Sequence, residues 1–417
     1  MSLQLVRGTR DLFGEDILRY NYIVYTARRI SELYNFKEIM TPIFEFSDVF
    51  EKNLGDTSDV VLKEIYKFKD KGDNYLSLRP EFTAGIVRAI LNHSELSDSL
   101  PIKLFSQGPV FRYDRPQKGR QRQFSQINFE YFGNASPMGD VDIIAMATNL
   151  LKNLELQKVV LEINSLGSRK SRSDFEDSLK TYLTGYKDEL SQDSKIRLDK
   201  NVLRILDSKD DNDRKILENA PRIGKYYSKD DEIFFSTVKE KLSLLNIEFT
   251  VNELLVRGLD YYTSTVFEFT ADSIGAQSTV MAGGRYDELV EKMGGRNVPA
   301  VGCAAGVERL MLMLDRRQQE IRPVSVVPIS DGELAYCLKF SENLRKNGIP
   351  SELNSEGSVK NKMNLSNRNH SKFAIVIGEE EVRSGLVTLK NLDRGSEEKV
   401  VAADILQKLS RENDESL

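Results

Sequence analysis

Between Val110 and Tyr131 apolar and polar residues alternate in two runs separated by a loop that contains no acid. In the first run Val110, Arg112 and Asp114 fall on one face and Phe111 and Tyr113 on the other. In the second, Phe124, Gln126, Asn128 and Glu130 face one way and Ile127, Phe129 and Tyr131 the opposite way. A period of two predicts a β-hairpin with one apolar side and one side that gathers Arg112, Gln126, Asn128 and Glu130. Any antiparallel sheet with one packed and one wet face gives the same pattern. What changes the picture is the loop RPQKGRQRQ, where Arg115, Lys118, Arg120 and Arg122 stand within eight residues. A tip so charged repels itself unless it faces an anion such as phosphate.

Upstream, Ile23, Ala27, Ile30 and Tyr34 recur at helical spacing and predict an amphipathic helix from about Asp16 to Tyr34. KEIMTPIFEF follows as a short strand interrupted by Pro42, which suits an edge, a bulge or a subunit interface. YLSLRPEFTAGIVRAIL, residues 75–91, reads as a strand turning into a helix, with Pro80 at the first helical position and Ile86, Ala89 and Ile90 as the buried stripe. Glu81 and Thr83 then sit in the first turn, where an acid either stabilises the helix dipole or receives a cationic group of a substrate.

From about Asp140 to Leu245 the chain becomes helical and heavily charged, with little alternation, and a helical insertion is expected over roughly 165–245. Residues rich in Val, Tyr, Phe and Thr return at 249–270, broken by Gly258, so that Arg257, Asp260, Tyr261 and Tyr262 gather at a bend. Glycine-rich segments at 282–290, 293–295 and 301–314 mark places where a ligand or another backbone comes close. None of them matches the dinucleotide fingerprint or the phosphate-cradling loop that ends in Gly-Lys-Ser/Thr. In VERLMLML, Arg309 interrupts an apolar helix, either snorkelling to the surface or emerging into a pocket. RPVSVVPIS, residues 322–330, looks like a linker entering a new strand, and the strand and helix patterns beyond it imply a small separate α/β domain.

Composition narrows the class. At 417 residues, with 40% hydrophobic and 29% charged positions, the chain suits a soluble globular protein of two to four domains. No apolar run approaches membrane-spanning length and no secretory leader is evident, so a cytoplasmic setting is expected. Cys303, Cys337, His93 and His370 are too few for a disulfide framework or a Cys/His metal site, and all four are read as ordinary structural residues. A net charge of −5 argues against nonspecific coating of nucleic acid while allowing a local grip on one.

The motifs RGTRDL, TPIFE (41–45), LRPE-T (78–83), FRYDRPQKGRQRQF (111–124), LRILDSK (203–209), RGLDYYTSTVFEF (257–269), AGGRYD (282–287) and GVERL (306–310) occur in the order found in one family. Over essentially its whole length the chain resembles the histidyl-tRNA synthetases of bacterial or organellar type. RGLDYY and the RPQKGR loop are the specific part of that likeness. The resemblance implies an α+β fold: an antiparallel-sheet class II synthetase catalytic core over 1–322, with its insertion at about 165–245, and a C-terminal α/β anticodon-binding domain over 323–417. It implies ATP-dependent joining of L-histidine to tRNA(His) through a histidyl-adenylate, with Mg²⁺ accompanying ATP. A homodimer is implied by TPIFE.

By the same resemblance, Arg112 contacts the α-phosphate, Arg120 and Arg309 hold the far phosphates, and Phe124 stacks on adenine. Glu81, Thr83 and Gln126 surround the α-ammonium of histidine, while Glu130 and Tyr262, with Tyr261 adjacent, read the imidazole. Arg257 holds the carboxylate and the α-phosphate as they react, making Arg257 and Arg112 the catalytic pair. Arg115 and Gln117 are candidates for contacting the tRNA acceptor end, where the extra 5′ guanosine is read.

Several positions depart from the family pattern. Phe82 stands where glycine is usual, Ser125 where histidine is common, Asn128 where glycine is common, Glu288 in place of a glycine and Val202 in place of a proline. Phe82 and Asn128 fall near the expected pocket. Two other identities compete: a catalytically silent paralogue that regulates histidine biosynthesis, and a synthetase for another amino acid. Paralogues of the first kind generally lack the anticodon domain and the RGLDYY arginine, both of which are read here, and Glu130 and Tyr262 would separate the second.

Overall fold

Alternation along the hairpin is realised in a sheet whose two faces are both covered. The computed structural model describes residues 3–51, 64–117, 119–272, 278–315 and 322–414. The chain divides into two units, Met1–Gln318 and Gln319–Leu417.

In the first unit the main sheet has eight strands. In chain order they are Lys37–Glu38 (β1), Ile102–Phe111 (β2), Gln123–Phe132 (β3), Val160–Ser165 (β4), Thr250–Val251 (β5), Thr263–Thr270 (β6), Thr279–Arg285 (β7) and Ala300–Gly306 (β8). They lie side by side as β1-β2-β3-β8-β7-β6-β4-β5. Each neighbouring pair is antiparallel except at the two edges, where β1 joins β2 and β5 joins β4 in parallel. Strand β4 lies inside the stretch that the charge pattern marks as helical. Its Leu161 and Ile163 are buried, and the alternation is too short to stand out from its charged surroundings.

One face of the sheet is packed by helices α1 (Glu15–Leu33), α2 (Pro137–Asn153) and α3 (Lys229–Leu244). Ile23, Ala27 and Ile30 of α1, Ile144 and Ala147 of α2, and Phe235, Val238 and Leu242 of α3 close on Ile127, Phe129 and Phe267 of the sheet in one apolar cluster. Although α3 falls within the expected insertion, its buried side belongs to the sheet's own core. A second apolar cluster joins the helix Thr83–Asn92 to the helices of the insertion, and residues beside both line one cavity.

The insertion itself comprises the helices Arg169–Thr184, Gln192–Lys200 and Asp211–Glu218 with two 3₁₀ turns. Its centre is polar. Asp213 is buried and accepts hydrogen bonds from the hydroxyls of Ser191, Ser194 and Ser208 at 2.7, 2.6 and 2.6 Å, which ties two other segments of the insertion to its carboxylate.

The stretch KEIMTPIFEF is split by Pro42 into β1 and a strand Phe44–Phe46 that belongs to a separate three-stranded sheet with Lys67–Lys69 and Tyr75–Leu78. Pro80 does not open the next helix, contrary to the sequence expectation; the helix begins at Thr83. Glu81 provides the reason, because its two carboxylate oxygens accept from the backbone N–H groups of Thr83 and Ala84 and so satisfy donors that the helix leaves unpaired.

The second unit carries a five-stranded sheet in the order Ser351–Leu353, Val324–Pro328, Phe373–Ile377, Leu386–Asn391, Ser396–Val401. The helices Leu334–Lys346, Val359–Arg368 and Ile405–Asp414 accompany it. Val326, Ile375, Ile377, Leu344 and Leu409 are fully buried in its core. No helix among the described residues is long and apolar enough to cross a membrane.

Candidate active site

Strand β3 supplies the floor of the site. Phe124, Gln126, Asn128 and Glu130 all line one cavity of about 1500 Å³, as their shared face requires. The face is not wet, however: Gln126, Asn128 and Glu130 are 9%, 2% and 1% exposed. Buried polar groups cost free energy unless they are paired, so their partners define the chemistry.

Glu130 is paired three ways. Its Oε1 accepts from the Thr83 hydroxyl at 2.5 Å and from Asn128 Nδ2 at 2.9 Å, and its Oε2 accepts from the Tyr286 hydroxyl. Burial pushes its carboxyl up to about 7, against the downward pull of these three donors. The sheet makes room for it through glycine. Gly302 lies opposite Glu130 in the β8/β3 ladder, and a Cβ there would come within 1.6 Å of Glu130 Oε2. On β7, a Cβ at Gly283 would meet the Gly302 carbonyl at 2.1 Å and one at Gly284 the Thr265 carbonyl at 2.7 Å. The glycines of AGGRYD and of the 301–314 segment thus permit close approach of backbone and carboxylate, as their placement inside strands predicts.

Three phenols enclose the same carboxylate. Tyr261 and Tyr262 are 4.7 Å apart between ring centroids, and Tyr286 stands 5.5 Å from Tyr261 and 6.5 Å from Tyr262. Burial raises all three phenols, Tyr262 to about 12, so they remain protonated donors at neutral pH. Tyr286 is the residue that the sequence reading missed. Its signal is the tyrosine of AGGRYD, a motif that stands out in sequence for its glycines.

The same cavity gathers a set of mutually adjacent guanidinium groups. Arg112, Arg120, Arg257 and Arg309 all line it. Arg112 donates from Nε to the Pro80 carbonyl at 2.9 Å, and its guanidinium carbon lies 5.4 Å from the Phe124 ring centroid. Arg309 donates to the Thr279 carbonyl at 2.7 Å, which puts its head in the cavity rather than at the surface. Burial lowers the pKa of both, and repulsion from Arg120 lowers each further. Arg257 pairs with Glu268 at 2.8 Å, and Thr279 also donates to Glu268. Arg120 pairs with Asp114 at 2.8 Å. Crowding four guanidinium groups around one cavity favours a polyanionic occupant.

Two buried polar atoms in this cavity, Gln126 Oε1 and Arg257 Nε, have no hydrogen-bond partner among the described residues. An acceptor and a charged donor left open in one pocket fit a ligand that brings its own cation and its own anion. Glu81, also lining the cavity, is raised by burial even though two backbone N–H groups hold it. Thr83 gives its proton to Glu130, so toward a ligand its hydroxyl is an acceptor.

Arg115 and Gln117 are exposed on the loop, which closes through a backbone bridge between Gln117 and Arg120. Lys118 lies outside the described residues. Among the departures, Phe82 is buried beneath the Arg79 guanidinium, 4.2 Å from its carbon to the ring centroid, and does not line the cavity. Ser125 contributes its backbone N–H, which both oxygens of Glu308 accept at 3.0 Å. Asn128 is a donor to Glu130. Nothing in the structure explains Glu288 or Val202.

The insertion reaches the bend that carries Arg257. Arg172 donates to the Tyr262 carbonyl at 2.7 Å, Arg204 to the Gly258 carbonyl at 2.9 Å and Asn201 to Asp260 Oδ1 at 3.0 Å.

Comparison with known proteins agrees along the whole chain. The family model described as histidyl-tRNA synthetase matches residues 8–169 and 188–310, and that of the anticodon binding domain matches residues 323–412. The chain is 47% identical over 405 residues to the histidine–tRNA ligase of Wolbachia pipientis wMel, covering 97% of this chain and 98% of that protein. It is 45% identical over 398 residues to the histidine–tRNA ligase of Rickettsia bellii, covering 95% and 96%. The crystal structure of apo histidyl-tRNA synthetase from S. aureus superposes with a TM-score of 0.82 at 32% identity, covering 98% of this chain and 99% of that one.

Proposed function

Because this chain belongs to the histidyl-tRNA synthetase family, we propose that its buried carboxylate and its guanidinium cluster divide one reaction between them. The enzyme joins L-histidine to tRNA(His) at the expense of ATP, through a histidyl-adenylate. The observation that carries the division of labour is that one cavity is lined both by Glu130 with three phenols and by the mutually adjacent guanidinium groups of Arg112, Arg120, Arg257 and Arg309.

Histidine enters with its imidazole toward Glu130 and Tyr262, with Tyr261 adjacent. A ring N–H donates to the remaining acceptor site of Glu130, and the phenols hold the ring. Analogues without a ring N–H leave a buried carboxylate unpaired, which is how such a site rejects them. The α-ammonium donates to Gln126 Oε1, the Thr83 oxygen and Glu81. The orphaned acceptor on Gln126 supports that orientation.

ATP lies over the arginines with its adenine against Phe124. A histidine carboxylate oxygen attacks the α-phosphorus, a new P–O bond forms, and the bond to the β-phosphate oxygen breaks to release pyrophosphate. Arg257, with an open Nε, and Arg112 meet the charge that accumulates on the α-phosphoryl oxygens. Arg120 and Arg309 hold the departing phosphates. Fixed charges of this kind require no reorganisation as the reaction proceeds, and no enzyme nucleophile takes part. In the second step the 3′-terminal ribose hydroxyl attacks the activated carbonyl and AMP leaves. Arg115 and Gln117, exposed on the loop, meet the acceptor end of the tRNA.

Mg²⁺ would arrive with the nucleotide. Among the described residues no cluster of three metal-type side chains is present, and Glu268 beside the arginines is already engaged by Arg257 and Thr279. Phosphate oxygens and water would therefore carry most of its coordination, the ion contributing charge neutralisation. The active unit is a cytoplasmic homodimer, supported by the exposed apolar side chains Met40, Ile43, Phe44 and Phe46 around TPIFE. Light scattering would read twice the chain mass for a dimer and the single mass if this face is not an interface. For the reaction, pyrophosphate exchange into ATP across the twenty amino acids should require histidine. Exchange driven by another amino acid overturns the pocket assignment.

A further inference from the structure

Asn128 occupies the pocket floor two residues before Glu130 on the same strand. Its ladder partners are Ser106 on β2 and Ala304 on β8, both small, so the sheet leaves room above them for the amide. The side chain is 2% exposed, lines the cavity, and donates from Nδ2 to Glu130 Oε1 at 2.9 Å.

The three donors to Glu130 are not equivalent. The hydroxyls of Thr83 and Tyr286 can rotate and accept a hydrogen bond from a carboxylic acid as readily as they donate one to a carboxylate. An amide N–H can only donate. With Thr83 and Asn128 both on Oε1, the acceptor sites of that oxygen are taken, and one further site remains on Oε2 beside Tyr286.

On the assignment of Glu130 to the imidazole, we propose that Asn128 is a positioning residue for histidine selection. It fixes the plane of the Glu130 carboxylate, keeps protons off Oε1, and directs the substrate's ring N–H to Oε2. The titratable groups that face Glu130 are Glu81 before the helix Thr83–Asn92, Tyr261 and Tyr262 on the Arg257 bend, Tyr286 after β7 and Cys303 on β8. Glu81 opposes ionisation of Glu130, so the fixed amide donor acts against it.

The test is steady-state kinetics of histidine-dependent pyrophosphate exchange as a function of pH for the wild type, Asn128→Leu and Asn128→Asp, which have nearly the same side-chain shape. Asn128→Leu is expected to raise the histidine KM on the order of tenfold, the loss of one hydrogen bond to a charged group, with a smaller change in kcat and an unchanged ATP KM. The acid limb of kcat/KM for histidine should move to higher pH in Asn128→Leu and further in Asn128→Asp, where a second carboxylate repels the first. Titration of the substrate imidazole is common to all three proteins and cancels in the comparison. Coincident acid limbs, or losses spread equally over histidine KM, ATP KM and kcat, would reduce Asn128 to packing. Glu130→Gln separates the two levels. If it leaves the histidine KM unchanged, the assignment of Glu130 falls and the role of Asn128 with it. If it raises that KM while both position-128 variants keep the wild-type limb, only the role of Asn128 is lost.

Discussion

Gly302 and Glu130 face each other across the β8/β3 ladder, and the carboxylate occupies the space that a side chain at 302 would need. Gly302→Ala should push Glu130 off its donors at a stability cost of about 1–3 kcal/mol, typical of overpacking. Histidine-dependent exchange should fall on the order of a hundredfold, chiefly through the histidine KM, while ATP binding measured by calorimetry persists. Gly283→Ala, whose Cβ meets a backbone carbonyl instead, should cost more stability and impair both substrates. Equal effects of the two substitutions on the two substrates would contradict this geometry.

Arg257→Ala should slow adenylate formation on the order of a thousandfold, with the fold retained in circular dichroism. Its partner Glu268 keeps the hydrogen bond from Thr279, so the local structure does not depend on the arginine. Arg257→Lys should recover little, because an ammonium cannot reproduce the planar fork that meets both Glu268 and a phosphoryl oxygen. Single-turnover rates near those of the wild type would remove Arg257 from the chemistry.

Glu130 also predicts a pH dependence of stability. Its carboxyl rises from the ordinary 4.5 to about 7 in the fold, chiefly through burial. Between those values the folded chain holds a proton that the unfolded chain has released, so stability falls as pH rises through this window. The full displacement corresponds to about 3 kcal/mol. Glu130→Gln carries no charge and should lack this contribution, so its melting temperature relative to wild type should climb from acid to neutral pH. Histidine, which binds the ionised form, should stabilise the wild type increasingly over the same range. A melting difference independent of pH would show that Glu130 does not titrate there.

The insertion supplies a prediction through its contacts with the Arg257 bend. Asn201→Ala and Arg204→Ala each remove a hydrogen bond to the Arg257 bend and should lower kcat/KM for histidine roughly three- to tenfold. The ATP KM should change less. Unchanged kinetics in the double variant would mean that the bend holds its shape without these two contacts, the Arg172 contact to the Tyr262 carbonyl sufficing.

The hairpin was legible because a period of two needs no knowledge of what lies beside it. Its register was not, since Gly302 lies far along the chain from Glu130 and only the assembled sheet brings them together. Both faces of the hairpin proved to be buried, because polar residues that pair with one another look in sequence like residues that face water. The helix Val359–Arg368 was hidden for a related reason: its buried positions are Lys362 and Ser366, which satisfy themselves with the Pro328 carbonyl and Asn354. The strand Ser396–Val401 is exposed along most of its length, so it carries no apolar stripe to read. Arg257 and Arg309 could be picked out as charges in unusual company. Tyr286 could not, because a tyrosine beside glycines is ordinary until a carboxylate is found opposite it.

The donors to Glu130 come from a helix start, from its own strand and from the end of β7, and each is buried. An apolar replacement at 130 strands all three, and a replacement at any one donor leaves the carboxylate short of a partner whenever it is ionised, at about 1–3 kcal/mol apiece. Single steps to an apolar side chain at 130, or away from any of its donors, therefore pass through a less stable protein. Its preference for one side-chain chemistry is held by the ruggedness of the mutational path as much as by affinity, and redesign toward another amino acid would need the carboxylate and its donors changed together.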